Sequence, residues 1–331
     1  MRFLIKLLLL AVLSLATAVA GFWWWAGQPL ELRGSPVDFH IASGSSLRAA
    51  ISQMREAGVA VQPLLLLLLA RTQRADTGIK AGSYSVEQGI TAQQLLDKLI
   101  HGKVTQGDIT LIEGWTFRQW RARMEAHPDL RGDSRELSEA EIIRHLGRDY
   151  PSLEGWQFPD TYLFDKQSSD LDLMARAVRA MEQRLAEAWA GRADGLPYRS
   201  PYEALIMASI IEKETGREAD RELVAAVFVN RLRLGMPLQT DPTVIYGLGE
   251  TFDGNLRKRH LQTDMPHNTY TRRGLPPTPI AMPGLASIQA ALHPAATSAL
   301  YFVARGDGSS HFSNTLDEHN RAVNRYLRGG K

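Results

Sequence analysis

The sequence predicts a mixed α+β chain in three parts: one membrane-crossing helix, a small β-α-α-β module, and a larger α+β domain. Three observations carry that reading. Leu7 to Ala26 runs twenty residues without a charge. A short alternating strand, a Gly-x-Ser/Thr turn and an apolar-periodic helix then recur between Val37 and Met124. Further on, helical patterns lead to a stretch that is apolar on every side, followed by a Pro-rich loop and a hairpin.

At 331 residues there is room for two domains, or for one with an appendage. Hydrophobic residues at 44% and charged residues at 22% are ordinary for a globular protein. A net charge of +2 provides no basic field for nucleic acid. Cysteine is absent, which excludes disulfides, thiol nucleophiles, Cys-ligated zinc and a lipid-modified N-terminal cysteine.

Arg2 and Lys6 precede the apolar run. Twenty helical residues at about 1.5 Å each span the roughly 30 Å hydrocarbon core. A cleaved signal peptide competes, with cleavage sites near Ala18 and Ala20. The length of the run and the cluster Phe22-Trp23-Trp24-Trp25 favour an anchor, since aromatic rings collect at membrane interfaces. Basic residues before the span place the N-terminus in the cytoplasm and the remainder outside. Pro29 to Pro36 reads as a tether.

The recurring pattern appears at Val37–Met54, Tyr84–Ile100 and Asp108–Met124. Ser46, Thr91 and Thr116 stand two places after a glycine, where a hydroxyl can cap the following helix. Six leucines follow Pro63; the run is too short to cross a bilayer and reads as a buried helix. Ser138 caps a helix over Glu139–Leu146. The aromatic stretch Leu153–Phe164 is a rigid loop whose rings serve mainly as core. Leu171, Met174, Val178, Met181, Leu185 and Trp189 mark an amphipathic helix closed by Gly191.

Tyr202–Gly216 (YEALIMASIIEKETG) is the wholly apolar helix, and it ends in Glu212, Lys213 and Glu214. A carboxyl group at the edge of a core has its charged form disfavoured, which raises its pKa toward that of a general acid. Glu212 shares a helix face with Leu205, Ala208 and Ser209, and Glu214 shares one with Met207, Ile210 and Ile211. Periodicity does not choose between them. Asp220 caps a further helix stopped by Gly235, and Asp241-Pro242 opens another. Met265–Gly284 is a Pro-rich loop of the kind that forms binding surfaces. The chain closes with a hairpin around Gly306-Asp307-Gly308 and a final helix.

No nucleophile elbow, zinc-protease motif, phosphate loop or dinucleotide glycine pattern occurs. His311 and His319, eight residues apart without a third ligand, are structural or substrate-contacting residues; no metal or cofactor is expected. What remains is a carboxylate pair followed by Gln239, Thr240, Asp241, Asn268, Thr269 and Tyr270. Carboxylates with amides, hydroxyls and aromatic rings are the inventory of a carbohydrate site.

Several ordered segments resemble the endolytic murein transglycosylases of the YceG-like (MltG) family: ASIIEKETG (208–216), NRLRLGMPLQTDPTVIYGLG (230–249), HNTYTRRGLPPTPIAMPG (267–284), HPA (293–295), LYFVA (300–304) and HFSNTLDEHN (311–320). LEGWQFPDTY fits as well, and the likeness covers essentially the whole chain. It implies an anchor at 1–28, a LysM-like module at 29–103 and a catalytic domain at 104–331. It further implies a lyase that cuts the β-1,4 bond between N-acetylmuramic acid and N-acetylglucosamine without water, leaving a 1,6-anhydro end. The first Glu of the E-K-E-T motif, Glu212, is implied to act as acid and then base. Glu214, Gln239, Thr240, Asp241, Asn268, Thr269 and Tyr270 are expected around the substrate. Nascent glycan strands are the implied substrate, peptidoglycan synthases (penicillin-binding proteins) the implied partners, and the inner membrane the implied location. A non-catalytic peptidoglycan-binding protein and a water-using muramidase are the rival readings.

Overall fold

The computed structural model describes residues 2–42, 44–74, 78–102, 104–327 and 329; Ser43 and Lys103, inside two of the stretches above, lie outside them. The chain divides into two compact units, residues 1–108 with 163–168, and 109–162 with 169–331.

The first unit opens with helix α1 (Arg2–Ala26), whose apolar side chains are exposed along almost its whole length. The module follows as β1 (Val37–Ile41), α2 (Leu47–Ala57), α3 (Pro63–Thr72), β2 (Gly82–Val86) and α4 (Ala92–Ile100). β1 and β2 pair antiparallel, with Val37 opposite Val86 and Ile41 opposite Gly82. Alternation along β1 buries Val37, Phe39 and Ile41 on one face, as a period of two requires. Ser46 and Thr91 accept hydrogen bonds from the third residue of their helices, confirming both as caps. Leu66 and Leu69 of the leucine run are buried, whereas Leu64 is 81% exposed.

The predicted tether is not one. Leu30 is buried in the module's core, Pro29 bridges to Thr91 and Leu32 to Val59, and Phe22, Trp25 and Ala26 of α1 pack against the same core. Long-range pairing that local composition does not signal draws the segment in, so α1 joins the module directly.

The chain continues through β3 (Gln106–Thr110), α5 (Phe117–Glu125), β4 (Leu130–Arg131), α6 (Glu139–His145), β5 (Thr161–Asp165), β6 (Ser168–Ser169) and α7 (Asp170–Ala190). Thr116 and Ser138 cap α5 and α6 with reciprocal side-chain bonds. The rings of 153–164 serve mostly as core: Phe158 and Tyr162 are buried, and Trp156 stacks between Tyr150 and Tyr202.

The second unit is built around α8 (Pro201–Glu214), flanked by α9 (Glu218–Arg233), α10 (Asp241–Leu248), α11 (Lys258–Gln262) and α12 (Leu285–Leu292), then the hairpin β7 (Tyr301–Ala304) and β8 (Ser310–Ser313), and α13 (Leu316–Tyr326). Ser200 caps α8, Pro201 occupies its first turn, and every residue from Ala204 to Ile211 is buried. Fully burying one such aliphatic side chain is worth about 1.5–3 kcal/mol. α8 packs against α12, α9, α7 and α10.

Two predicted caps belong to other roles. α9 starts at Glu218 with Arg217 at its N-cap, and the buried Asp220 instead accepts the Ser310 backbone N–H at 2.7 Å. Thr240, not Asp241, holds the N-cap position of α10, which leaves the Asp241 carboxylate for another partner.

Candidate active site

Two residues apart on an α-helix is about 200° around its axis, so Glu212 and Glu214 leave the last turn of α8 on opposite sides. On one side, Glu212 Oε2 accepts the Gly284 backbone N–H at 3.0 Å and the Ser287 hydroxyl at 2.7 Å. Lys213 donates to the Gly114 carbonyl at 3.0 Å, and the Gly114 N–H donates to Met282 O at 2.9 Å. Glu212 thereby ties the end of α8 to the start of α12, while Lys213 ties it to the 113–115 loop. Glu113 lies on this side as well. Its carboxyl is pushed above the usual range first by burial and then by the Glu212 charge, with Arg221 opposing. Gly284 is the close-approach point, because a Cβ there would collide with the Glu113 carboxylate.

On the other side Glu214 faces a cleft of about 380 Å³, shared with Arg231, Gln239, Asp241, Tyr270 and His319. Burial pushes the Glu214 carboxyl above its ordinary range; the hydrogen bond from Thr240 Oγ1 to Glu214 Oε1 and the Arg231 charge oppose that, and Asp241 adds to it. Asp241 accepts the Tyr270 hydroxyl at 2.5 Å. Burial and that carboxylate keep the Tyr270 phenol protonated by raising its pKa. His319 stacks on Tyr301 with centroids 5.2 Å apart, and burial, more than the Arg231 and His311 charges, lowers its pKa and favours the neutral ring.

The remaining expected contacts build the cleft wall. Asn268 is fully buried; its Nδ2 donates to the carbonyls of His260, Leu261 and Thr263, and its Oδ1 accepts the Tyr270 N–H. Thr269 accepts the Thr240 N–H at 3.1 Å through its hydroxyl and the Gln239 N–H at 3.1 Å through its carbonyl. Thr240 is buried except for what it gives Glu214. Of the expected residues, Glu214, Gln239, Asp241 and Tyr270 thus line one cleft; Thr240, Asn268 and Thr269 support it; Glu212 points away from it.

Gln239 occupies the left-handed region with φ +53°, a conformation that costs a non-glycine residue free energy and recurs at functional sites. Arg231 and Glu113 were missed by sequence reasoning. The signal available for Arg231 was a cation two residues inside the end of a buried helix, in Asn-Arg-Leu-Arg. For Glu113 it was an acid immediately before Gly114 in a turn between strand and helix. Among the described residues no group of three or more His, Asp or Glu could hold a metal ion.

The profile of the YceG-like family matches residues 39–325. An endolytic murein transglycosylase of Bacillus subtilis (strain 168) is 33% identical over 318 residues, covering 91% of this chain and 88% of that protein. A Streptococcus pneumoniae (serotype 2, strain D39) protein of the same name is 27% identical over 327 residues, covering 86% of this chain but only 57% of its own length. The solved structure of a YceG-like protein from Listeria monocytogenes superposes with a TM-score of 0.55 at 31% identity, covering 87% of this chain and 98% of that one.

Proposed function

The chain belongs to the YceG-like family, and from that membership we propose that it is an endolytic transglycosylase of murein. Its reaction is cleavage of the β-1,4 bond between N-acetylmuramic acid and N-acetylglucosamine, with the muramyl C6 hydroxyl as internal nucleophile and a 1,6-anhydro end as product. One carboxyl group suffices for this chemistry: it protonates the leaving oxygen and afterwards accepts the C6 proton. The attack is intramolecular and gains from proximity.

The observation that carries the reading is Glu214, a carboxyl held toward its protonated form on the wall of the polar cleft. We therefore assign the acid–base role to Glu214 in place of Glu212, whose Oε2 is engaged by Gly284 and Ser287 on the opposite side of α8. Asp241, Tyr270 and Gln239 share the cleft and are positioned to orient sugar hydroxyls and amides. The neutral Tyr270 phenol holds Asp241 in place.

α1 serves as a single anchor in the inner membrane, its basic flank inside and both units outside, where nascent glycan strands and the synthases that make them are within reach. The module at 29–103 is LysM-like in its β-α-α-β order and assists capture of the strand.

A second reading rests on Asp241, a further carboxylate in the cleft that could activate water and make the enzyme a hydrolytic muramidase. Mass analysis of the products distinguishes the two. Transglycosylation yields fragments lighter by one water per cut, with anhydro ends; hydrolysis yields reducing ends. Anhydro ends from the wild type and none from Glu214→Gln are expected. Reducing ends only would overturn the transglycosylase reading.

A further inference from the structure

Arg231 is 8% exposed, yet it forms part of the cleft surface opposite Glu214. Its Nε donates to the Leu300 carbonyl at 2.7 Å, and its Nη1 donates to Leu238 O at 2.8 Å, Pro237 O at 3.3 Å and Gln239 Oε1 at 3.4 Å. The guanidinium lies 5.1 Å from the centre of the Tyr301 ring. Its Nη2 has no partner among the described residues. Nη2 is not among the polar atoms buried without a partner, so as part of the cleft lining it can donate to a ligand while the rest of the guanidinium stays fixed. Gln239 adds a second donor to the same wall: its Oε1 faces Arg231, which leaves Nε2 as the end of the amide that can donate to a ligand.

We infer that Arg231 Nη2 and Gln239 Nε2 form a paired-donor site for the carbonyl oxygen of a 2-acetamido group, so that this wall selects N-acetylated sugars. The inference rests on the proposed function and names the substrate feature that the cleft reads. Three observations select a neutral carbonyl over an anion. The guanidinium is already solvated by backbone carbonyl oxygens, so one more completes a shell of the same kind. Asp241, a carboxylate on the same cleft, opposes an anionic ligand. Tyr301, covered by Arg231 and stacked by His319, still lines the cleft and offers apolar contact for an acetyl methyl.

The left-handed backbone at Gln239 is then explained as the means of placing the amide, with Thr269 O holding its N–H at 3.1 Å. Arg231 cannot swing away, because three carbonyls on two segments fix it. The site is pre-organised, and discrimination follows from donors left unpaired when the acceptor is missing.

The test uses the full-length protein in detergent and two probes, chitotetraose and its analogue with thioacetamide in place of acetamide. Sulfur keeps the shape and neutrality of the group but accepts hydrogen bonds weakly. Calorimetric binding should favour chitotetraose by about tenfold or more, the value of one to two hydrogen bonds with a charged donor. Gln239→Met and Arg231→Lys should each bring that ratio toward one while retaining the wild-type circular-dichroism spectrum. Gln239→Met is the safer variant, because Arg231 also secures the loop. A ratio unchanged in both variants, equal weakening of both probes, or no binding of chitotetraose by the wild type would overturn the inference. A cutting assay and the same titrations on Glu214→Gln keep the two proposals apart: a Glu214→Gln protein that still cuts glycan sinks the acid assignment, while its acetamide ratio stands or falls separately.

Discussion

The two sides of the last turn of α8 carry the same side chain in different surroundings. Glu212 is an acceptor filled by a backbone N–H and a buried hydroxyl, in contact with the start of α12. Glu214 is held by one hydroxyl and opens onto a cleft with an arginine, a phenol and an amide. A carboxylate that accepts two donors in a packed corner stabilises a junction. One shifted by burial toward its protonated form, beside solvent-reachable polar groups, can transfer a proton. Residue type and helix position are nearly equal, so the surroundings alone separate fastening from chemistry.

The largest expected effect contrasts the two directly. Glu214→Gln should lower the rate of strand cutting by about 10²–10⁴-fold, the usual contribution of a general acid, and by the upper end if one group serves both proton transfers. Glu212→Gln keeps an oxygen for Gly284 and Ser287 and should cost less than about tenfold, visible mainly in thermal stability. Timed digestion of purified murein, scored by anhydro ends, measures both. The reverse ranking would return the acid role to Glu212.

The uneven legibility of this site follows from range. Ser46, Thr91, Thr116 and Ser138 were readable as caps because a cap is decided within four residues. The all-round apolar character of 204–211 announced burial for a similarly local reason. Asp220 and Asp241 looked like caps by the same rule, but each was claimed by a partner far away in sequence, Ser310 and Tyr270. Which side of α8 faces the cleft depends on where 238–241, 268–270 and 316–319 arrive. Periodicity at 212 and 214 contains none of that. Segment 29–36 failed for the same cause, since its partners are at 58–60 and 90–91.

A third carboxylate extends the comparison. Glu154 is 3% exposed, accepts the Phe117 N–H at 3.0 Å and the Tyr246 hydroxyl at 3.1 Å, and burial raises its pKa to about 8 despite both bonds. The folded protein therefore holds a proton here that the unfolded chain releases near pH 4.5. More protons bound in the folded state means stability falls as pH rises. Its contribution is full below about pH 4.5 and is lost progressively up to about 8, with a slope of at most about 1.4 kcal/mol per pH unit. Urea unfolding of wild type and Glu154→Gln across pH 5–8 should show a steeper fall of the midpoint in the wild type. Parallel curves would mean that Glu154 titrates normally.

Gly284→Ala probes the fastening side sterically. The added methyl would meet the Glu113 carboxylate, the end of a flexible exposed side chain that can turn aside, so the cost should be at most about 1 kcal/mol, the low end of overpacking. The same change in a Glu113→Ala background should cost measurably less, because the colliding group is gone; a double-mutant cycle in urea gives the difference. Equal costs in the two backgrounds would place the strain elsewhere.

The smallest effect belongs to Glu113 itself. Burial and the neighbouring Glu212 charge disfavour its ionised form, so ionisation weakens the fold slightly once pH rises above the unfolded value. Gln has no such charge. Glu113→Gln should be more stable than wild type by a few tenths of a kcal/mol near pH 7, the modest size reflecting a group that is more exposed than buried. The gain should shrink toward zero near pH 4, where the wild-type carboxyl is protonated as well. Melting curves at pH 4, 5.5 and 7 follow the trend, and the rate of glycan cutting should change less than about threefold. A loss of cutting as large as that expected for Glu214→Gln would mean that the reacting bond lies between Glu113 and Glu212, and that the division of α8 into a fastening side and a catalytic side is inverted.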